Sequence, residues 1–359
     1  MVSNRANSPT DLDRLPPRPQ KLAIIGLSTF GYFERLAGHI TRCGVEAQFF
    51  DERPSNDVAT KLVLRVLPKA LSRPLVRKPL AELCNTIISG DFTHVLVIFA
   101  ELIGPAELAR LKNNGIKVFR YTWDSVGNRP SVRKLDHLME AIGSFDPEDC
   151  RTHGYRYIPL YSETVPSASL STFADRPNDF YFCGTMHSVR ARVISRIEEQ
   201  CVARNWSILL KLFYHSRKLF VLKNLHDFRT LRITSRISET GFKHAETLED
   251  CRRSKVVLDI NHPRQQGLTM RTFETIAQGA VLLSTNRMAV SLLDPALQDR
   301  IILLDDKDIA GSMARALTAS PAPLNGQQRH MLSVDRFVHQ LFEMMGLENS
   351  YVPTGSVAS

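Results

Sequence analysis

At 359 residues the chain is long enough for two domains with separate cores, and 43% hydrophobic with 23% charged residues is an ordinary globular composition. No apolar run approaches the roughly 20 residues of a membrane span, and residues 1–20 lack a signal-peptide core, which favours a disordered tail on a cytoplasmic protein. The formal charge of +9 suits an anionic partner, but no zinc-finger, RNP or helix-turn-helix signature accompanies it, so we expect no nucleic-acid partner.

A strand–helix–strand unit opens the ordered part of the chain. The apolar run KLAIIG (Lys21–Gly26) predicts a buried strand. A loop is expected to follow as far as Gly31, and then a helix to about Cys43. EAQFF then predicts a second strand that ends at Asp51. This order is typical of an α/β domain.

The alternation continues to about residue 165. Strands are expected at THVLVIF (93–99) and KVFRYTW (117–123), with a glycine-terminated helix, AELARLKNNG (106–115), between them. The same pattern repeats more weakly at SFDPEDC (144–150) and RYIPLY (156–161). Such alternation indicates a parallel sheet with helices on both faces. We therefore predict one domain over residues 21–165.

A polar stretch rich in Ser, Thr and Pro, residues 166–179, reads as a linker to a second α/β domain at residues 180–325. A closing amphipathic helix (326–346) is expected to pack back across the domain junction, before a flexible tail (347–359). The segments expected to build the second domain are strands at 180–185, 206–213, 254–260, 280–284 and 300–305 and a helix at 188–205.

The most informative segment is QQGLTMRTFETIAQGAVLLS, residues 265–284, which follows an apolar strand. It predicts a glycine-containing loop, a short helix capped by Thr269, a left-handed stop at Gly279, and another strand. Arg271, Glu274 and Gln278 are spaced to share one polar helix face.

That pattern favours an anion site. A helix N-terminus offers unpaired amide donors, here those of Gly267, Leu268 and Thr269, and Arg271 adds a positive charge in the first turn. A glutamate one turn on, Glu274, can accept hydrogen bonds from a ribose. Together these residues predict a cradle for a nucleoside diphosphate.

HPRQQGLTMRTFETIAQGAVLLSTN (262–286) resembles the nucleotide-sugar segment of GT-B glycosyltransferases, in the version found in bacterial polysaccharide-biosynthesis and CgeB-like proteins. YTWDS (121–125), SFDPEDC with YIPLY, and YFCGTMHSVR (181–190) are similar to the same group, in the same order. The resemblance spans roughly residues 21–286. It implies a GT-B fold, in which two Rossmann-like domains face each other across a cleft with ligands beyond the strand ends.

Within that resemblance, His262 and Gln266 are expected to face the donor sugar, and Arg190 to neutralise the departing diphosphate. Each assignment has an alternative without a binding role. Arg271 and Glu274 can form an i, i+3 ion pair on an exposed helix face, and Arg190 can be a solvated residue at a helix start. His187 and Arg192 are weaker alternatives to Arg190.

Two carboxylates are candidates for the base that deprotonates an acceptor hydroxyl. Asp124 in WDS is the first choice and Glu101 the second, since both follow strands of the first domain. The alternative is that each merely caps the next element. If the reaction retains anomeric configuration, a dedicated base is unnecessary.

No cofactor or metal is expected. The D-x-D-like run LLDDKD (303–308) follows a late strand, and six scattered cysteines show no metal-ligand or disulfide spacing. GLSTFG (26–31) lacks the G-x-G-x-x-G spacing of an NAD site, so a Rossmann-type NAD enzyme is disfavoured.

A basic stripe within residues 61–78 is a candidate for contact with an anionic membrane surface. Its cations recur every four residues among apolar neighbours (Lys61, Arg65, Lys69, Arg73 and Arg77). Pro68 and Pro74 are expected to interrupt a continuous helix, and the apolar residues can equally be core. A second basic run, residues 211–236, is explained equally well as a solvated surface without a partner.

The resemblance implies a glycosyltransferase of bacterial cell-surface polysaccharide biosynthesis, which transfers a sugar from a nucleoside diphosphate to a saccharide or lipid-linked acceptor without a metal. It would be cytoplasmic or peripheral on the inner membrane face. The alternative from another class is a non-catalytic relative that binds a nucleotide sugar or glycan within an envelope or coat assembly.

Overall fold

The structure is a computed structural model, which describes residues 19–28, 31–53, 69–98, 101–162, 172–186, 188–261 and 265–348, without the side chains of 69–75 and 188. Two six-stranded sheets, each wholly parallel, are flanked by helices. The two doubly wound α/β sheets predicted from the sequence are therefore confirmed.

The first sheet has the strand order β2-β1-β3-β4-β5-β6. Its strands are β1 (Lys21–Gly26), β2 (Glu46–Asp51), β3 (His94–Ile98), β4 (Lys117–Thr122), β5 (Ile142–Ser144) and β6 (Arg156–Tyr157). Its helices are α1 (Tyr32–Arg42), α2 (Lys69–Ser89), α3 (Pro105–Asn113), α4 (Pro147–His153) and a 3-10 helix at Pro130–Leu138. Alternate residues of β1 enter different cores, Leu22 and Ile24 on one face and Ala23 and Ile25 on the other, as a sheet covered on both faces requires.

The second sheet has the order β12-β11-β10-β7-β8-β9. Its strands are β7 (Asn178–Thr185), β8 (Ile208–Phe213), β9 (Ile237–Ser238), β10 (Ser254–Asp259), β11 (Val281–Ser284) and β12 (Ile301–Leu303). Its helices are α5 (Ser188–Arg204), α6 (Arg217–Lys223), α7 (Phe228–Arg232), α8 (His244–Arg252), α9 (Met270–Ala277), α10 (Ala289–Leu292) and α11 (Ile309–Thr318), with 3-10 helices at Ile233–Arg236 and Pro295–Arg300.

The ends of the predicted segments differ in detail. β7 begins at Asn178, inside the stretch expected to be linker, while residues 163–171 lie outside the described part of the chain. Gln20 belongs to the fold, because its side chain accepts from the amide of Glu348 at 2.8 Å. Leu347, expected in a flexible tail, is buried.

Helix α2 corrects the expectation that Pro74 interrupts the basic stripe. It begins directly after Pro68 and runs without a break through Pro74 and Pro79 to Ser89. Residues 61–68, which include Lys61 and Arg65, lie outside the described residues, as do the side chains of Lys69 and Arg73.

The closing segment is two helices instead of the expected one, α12 (Gly326–Leu332) and α13 (Val334–Met345). Ser333 separates them with an extended backbone, and its hydroxyl accepts from the amide of Arg336 to cap α13. α13 lies against the first sheet. Phe337 contacts the rings of Tyr121 and Tyr161, with centroids 5.1 and 4.7 Å away.

Arg336 ties α13 to both halves of the chain. Its guanidinium donates to the carbonyl oxygens of Pro159 and Leu160, beyond β6, and lies 5.8 Å from the ring centre of Phe273 in α9. Burial lowers the pKa of Arg336 to about 10. The charged form is therefore retained at neutral pH.

The carboxyl ends of the two sheets face each other. Phe145 and Asp146, directly after β5, contact Gly267 and Gln266, in the loop after β10. Tyr32, after β1, reaches Glu274 in α9. Since ligands of doubly wound sheets bind beyond the strand ends, the cleft between these ends is where a site is expected.

Replacing Phe337 with Ala should lower the free energy of unfolding by about 3–5 kcal/mol, because it removes a fully buried ring from an aromatic cluster. Phe228→Ala is the matched control: this ring is 82% exposed, so the loss should stay below about 0.5 kcal/mol. Urea unfolding followed by circular dichroism measures both. Equal losses would contradict the packing described for α13.

His94 should make the fold acid-sensitive. Burial, with a smaller effect of Lys117, lowers the pKa of His94 to about 4 from its ordinary 6.5. Between these values the unfolded chain binds a proton that the folded chain does not, so stability falls as the pH falls from 6.5 towards 4. The loss attributable to His94 between pH 7 and pH 5 is about 2 kcal/mol.

The His94→Gln variant cannot titrate at this position, so it should lose about 2 kcal/mol less than the parent protein over the same pH interval. Comparing the slopes of stability against pH removes any constant cost of the substitution. Parallel slopes for the two proteins would exclude a role for His94.

Candidate functional site

The second sheet reverses its strand order between β7 and β10. β7 connects onward to β8 on one side, while β10 connects to β11 on the other, so the two connections leave a crevice at the carboxyl ends. α5 follows β7 and α9 follows β10, so both helices begin beside this crevice. Arg190 lies in the first turn of α5 and Arg271 in the first turn of α9.

These two arginines converge on one aromatic ring. The guanidinium carbons of Arg190 and Arg271 lie 5.8 and 5.0 Å from the centre of the Phe182 ring. Arg190 donates to the carbonyl oxygens of Thr185 at 2.8 Å and Ile260 at 2.7 Å, and Arg271 donates to the carbonyl of Cys183. Strand-end carbonyls and a π face therefore orient both cations.

The crevice is electropositive. Burial, reinforced by the nearby positive charge of Arg271, lowers the pKa of Arg190 to about 10, and Asp259 opposes this shift. Arg271 forms no ion pair with any carboxylate of the described residues. The Arg190 guanidinium therefore remains charged at neutral pH, and together with the adjacent Arg271 guanidinium it can bind an anion with two or more negative charges.

The ion pair between Arg271 and Glu274 that their spacing allowed is not formed. Arg271 turns towards β7, whereas Glu274 accepts a hydrogen bond from the Tyr32 hydroxyl at 2.9 Å. The prediction that Gln278 shares an exposed polar face with these two residues is also wrong, because Gln278 is only 1% exposed. The alternative of an exposed salt bridge is thereby removed.

Glu274 belongs to a three-residue contact that crosses the cleft. Its carboxylate lies 3.6 Å from Nε2 of His244, and the Tyr32 hydroxyl lies 3.3 Å from Nδ1 of the same ring. Burial and the neighbouring carboxylate raise the pKa of Tyr32 far above its ordinary value, so the phenol stays protonated and donates. No spacing pattern indicates Tyr32 or His244 as site residues, because they come from distant segments of the chain.

The glycine loop makes a contact between the domains. A β-carbon on Gly267 would lie 2.7 Å from both the carbonyl oxygen and the ring of Phe145, so only glycine fits there. The amide of Gln266 donates to Asp146 at 3.3 Å, and Leu268 is 2% exposed. The loop residues expected to offer amides to a phosphate thus lie close against the first domain.

The remaining donor-side residues are placed as follows. Thr269 occupies the N-cap position of α9 with extended backbone, but its buried hydroxyl forms no hydrogen bond to the described residues. Gly279 has a φ of +69°, which confirms the left-handed helix stop. His262 and His187 lie outside the described residues. Arg192 pairs with Asp227 at 3.4 Å, away from the Phe182 ring.

The two candidate bases lie together in the first domain, joined by Arg129. This guanidinium forms ion pairs with Glu101 and, at 3.4 Å, with Asp124. Glu101 also lies 3.6 Å from Arg53, and Asp124 accepts from Asn128 at 2.9 Å. No sequence pattern indicates the bridging Arg129, which gives each carboxylate a cationic partner in this structure.

Another carboxylate, Glu52, holds the loop that carries Glu101. It is 1% exposed and accepts from the amides of Glu101, Leu102 and Ile103 at 2.8 to 3.0 Å. Burial raises its pKa, while the three amide donors oppose that shift. Glu52 is a positioning residue for the loop after β3.

One group in the described part of the chain has the composition of a metal site. Ligand atoms of His39, Cys43 and Asp335 lie within 4.8 Å of one another, beside the end of α1. His39 there contacts Asp335 at 2.7 Å and Arg42 at 3.1 Å. In the D-x-D-like run, the side chain of Asp308 accepts from the amide of Gly311 and caps α11.

Comparison with solved structures identifies this architecture as the two-domain GT-B fold. The chain is similar to a glycosyltransferase from Rickettsia africae (TM-score 0.59, 11% identity, 93% of this chain and 100% of that one). It is also similar to UDP-GlcNAc 2-epimerase of Methanocaldococcus jannaschii in complex with UDP-GlcNAc and UDP (0.54, 12%, 92% and 100%) and to S. aureus MnaA with UDP (0.51, 11%, 93% and 99%).

At these identities the likeness shows the fold alone. The predicted fold class, two Rossmann-like domains across a cleft, is confirmed. No family model and no curated protein matches the chain. The CgeB-like subgroup therefore stays a prediction, as do the individual site residues.

Gly267→Ala should separate the loop from Phe145, because the added methyl group would overlap a backbone oxygen. We expect a loss of about 1–3 kcal/mol in stability and a more open cleft. Gly241→Ala is the control, since a β-carbon there meets nothing within 4 Å. Thermal unfolding and small-angle X-ray scattering measure the two effects; an unchanged Gly267→Ala protein would refute the close contact.

Proposed function

We propose that the protein is a glycosyltransferase. It would transfer a sugar from a nucleoside diphosphate donor to a hydroxyl of a saccharide or lipid-linked acceptor in bacterial cell-surface polysaccharide biosynthesis. The observation that carries this proposal is the convergence of Arg190 and Arg271 on Phe182 at the strand-order reversal of the second sheet. Two adjacent half-buried cations there are complementary to a diphosphate.

The chemistry proposed for the arginine pair is stabilisation of the leaving group. When the bond between the sugar C1 and the diphosphate oxygen breaks, negative charge grows on that oxygen, and two oriented guanidinium groups lower its energy. C1 then bonds to the acceptor oxygen, whose proton passes to a base or to solvent. Since the arginines supply the positive charge, we propose that no metal is required.

On the acceptor side we propose Asp124, with Glu101 as second choice, as the group that takes the proton. Both carboxylates lie at strand ends that face the cleft, one on each side of Arg129. Acceptor binding would have to turn one of them from Arg129 towards the reacting hydroxyl.

For the rest of the donor we retain the roles inferred from the sequence. Glu274 would bind the ribose hydroxyls, His262 and Gln266 would face the sugar, and amides of the loop 267–269 would contact the diphosphate. Support for Glu274 is its position one turn from Arg271 on α9, with Tyr32 as its present hydrogen-bond donor. A ribose hydroxyl would replace that phenol.

A second candidate is a nucleotide-sugar 2-epimerase. The observation that favours it is the set of solved structures at TM-scores of 0.51 to 0.54, which includes UDP-GlcNAc 2-epimerases. Such an enzyme needs no acceptor. Incubating the protein with UDP-sugars and GDP-sugars, with and without glycan acceptors and with EDTA throughout, separates the candidates by mass spectrometry and NMR.

In that experiment, sugar transfer only when acceptor is present supports the glycosyltransferase. Inversion at C2 without acceptor identifies an epimerase. Donor binding without turnover identifies the non-catalytic alternative. In a separate thermal-unfolding titration with UDP, GDP and NAD, stabilisation by NAD alone would contradict a nucleotide-sugar site.

Location also remains a proposal. Within the described segments no helix is long and apolar enough to cross a membrane. We propose a cytoplasmic enzyme, and contact of the stretch 61–78 with the inner face of the cytoplasmic membrane stays a prediction.

Arg271→Ala and Arg190→Ala should each weaken UDP or GDP binding about 10- to 100-fold, the effect of losing one charge-assisted hydrogen bond. Arg192→Ala is the matched control on α5, because Arg192 is 59% exposed and directed to Asp227. Isothermal titration calorimetry measures the affinities, and thermal unfolding confirms that each variant is folded. Unchanged affinity in both variants of the pair would end the diphosphate assignment.

A further inference from the structure

An exposed apolar surface lies beside the crevice, on a segment that the sequence marked only as basic. Leu222, Leu225 and Phe228 are 65%, 55% and 82% exposed, and Leu219 is 40% exposed. They recur every three residues over α6, the following turn and the first residue of α7. Large apolar side chains clustered in solvent in this way mark an interaction surface.

The segment that carries these exposed side chains is well packed on its other face. The opposite face of the same segment is firmly packed, with Phe220 and Thr230 at most 1% exposed and Ile233 fully buried. Ser216 caps α6, Asp227 caps α7, and the Asn224 side chain donates to the carbonyl of Phe220 at 2.7 Å. The backbone therefore holds the four apolar side chains outward.

Cations surround the apolar stripe. Residues 217–236 contain six Lys or Arg and one Asp. Lys218 and Lys223 are exposed and form no ion pair with the described carboxylates, while Arg229 and Arg232 share only Glu199, at 3.9 and 3.6 Å. The surface thus combines apolar side chains with a net positive charge.

We propose that this surface, defined as Leu219, Leu222, Leu225 and Phe228 with their flanking cations, docks the protein on an anionic lipid bilayer. The apolar side chains would enter the boundary between headgroups and acyl chains, and the long Lys and Arg side chains would reach anionic headgroups. A second copy of the same surface fits poorly, because two positively charged patches would face each other.

The surface is placed to orient the cleft. α6 begins four residues after the carboxyl end of β8, the strand next to β7, so it lies at the same edge of the sheet as Arg190 and Arg271. Arg192, two residues from Arg190 on α5, pairs with the α7 cap Asp227. Docking would hold the crevice close to the bilayer. The inference does not depend on the reaction catalysed.

Co-sedimentation of the full-length protein with vesicles tests the docking. We expect binding to phosphatidylcholine vesicles that contain about 30% phosphatidylglycerol, weaker binding as salt is raised, and little binding to phosphatidylcholine alone. The double variants Leu222→Ser/Phe228→Ser and Lys218→Glu/Lys223→Glu should each bind at least about tenfold more weakly.

Matched controls come from other surfaces. Val202→Ser removes an apolar side chain that is 77% exposed elsewhere on α5, and Lys134→Glu reverses an exposed charge in the first domain. Both should bind vesicles like the parent protein. In Phe228→Trp, brominated lipids should quench the new fluorophore. All variants should retain UDP affinity, which separates failure of docking from failure of the donor site.

Three results would overturn the proposal: no binding of the parent protein to anionic vesicles, equal binding by parent and surface variants, or equal losses in the surface variants and the controls. If the surface variants change only self-association in analytical ultracentrifugation, the surface is an interface between copies and the lipid proposal is wrong.

Discussion

The cleft depends on one close approach, that of the loop after β10 to the corner after β5. Gly267 meets Phe145 without space for a methyl group, and the buried carboxylate of Asp146 accepts from the amide of Gln266 and from Ser125. Asp146 also caps α4, so one side chain fixes an element of the first domain and the loop of the second. This contact fixes how closely the loop after β10 approaches the first domain.

Electrostatics explains why the second domain holds its cations as it does. Bringing two guanidinium groups together costs free energy through desolvation and mutual repulsion. Here the cost is offset locally by strand-end carbonyls, the Phe182 ring and the nearby Asp259. Apolar side chains would pack more stably at this place than two like charges. Two adjacent guanidinium groups are therefore characteristic of a site that binds anions.

The regular elements could be predicted because their signals are local. KLAIIG and the run before Asn261 are apolar over one strand length, and Gly279 marks the end of α9 through its left-handed backbone. Contacts at the site could not be predicted in this way. Tyr32 and Glu274 are 242 positions apart, and the bridge from Arg129 to Glu101 and Asp124 depends on loop conformations that no spacing encodes. The exposed apolar surface could not be predicted either. The composition of residues 217–236 indicates a positive charge, but it does not indicate which apolar side chains face solvent.

The hydrogen bond between Tyr32 and Glu274 has a consequence for how such a chain can evolve. Each half supplies one partner of this hydrogen bond, and His244 of the second half also lies 3.6 Å from the Glu274 carboxylate. A homologous half introduced by recombination would place a carboxylate against the wrong neighbour unless its counterpart changed as well. The two domains, although each has a complete sheet, are therefore constrained to diverge as a pair.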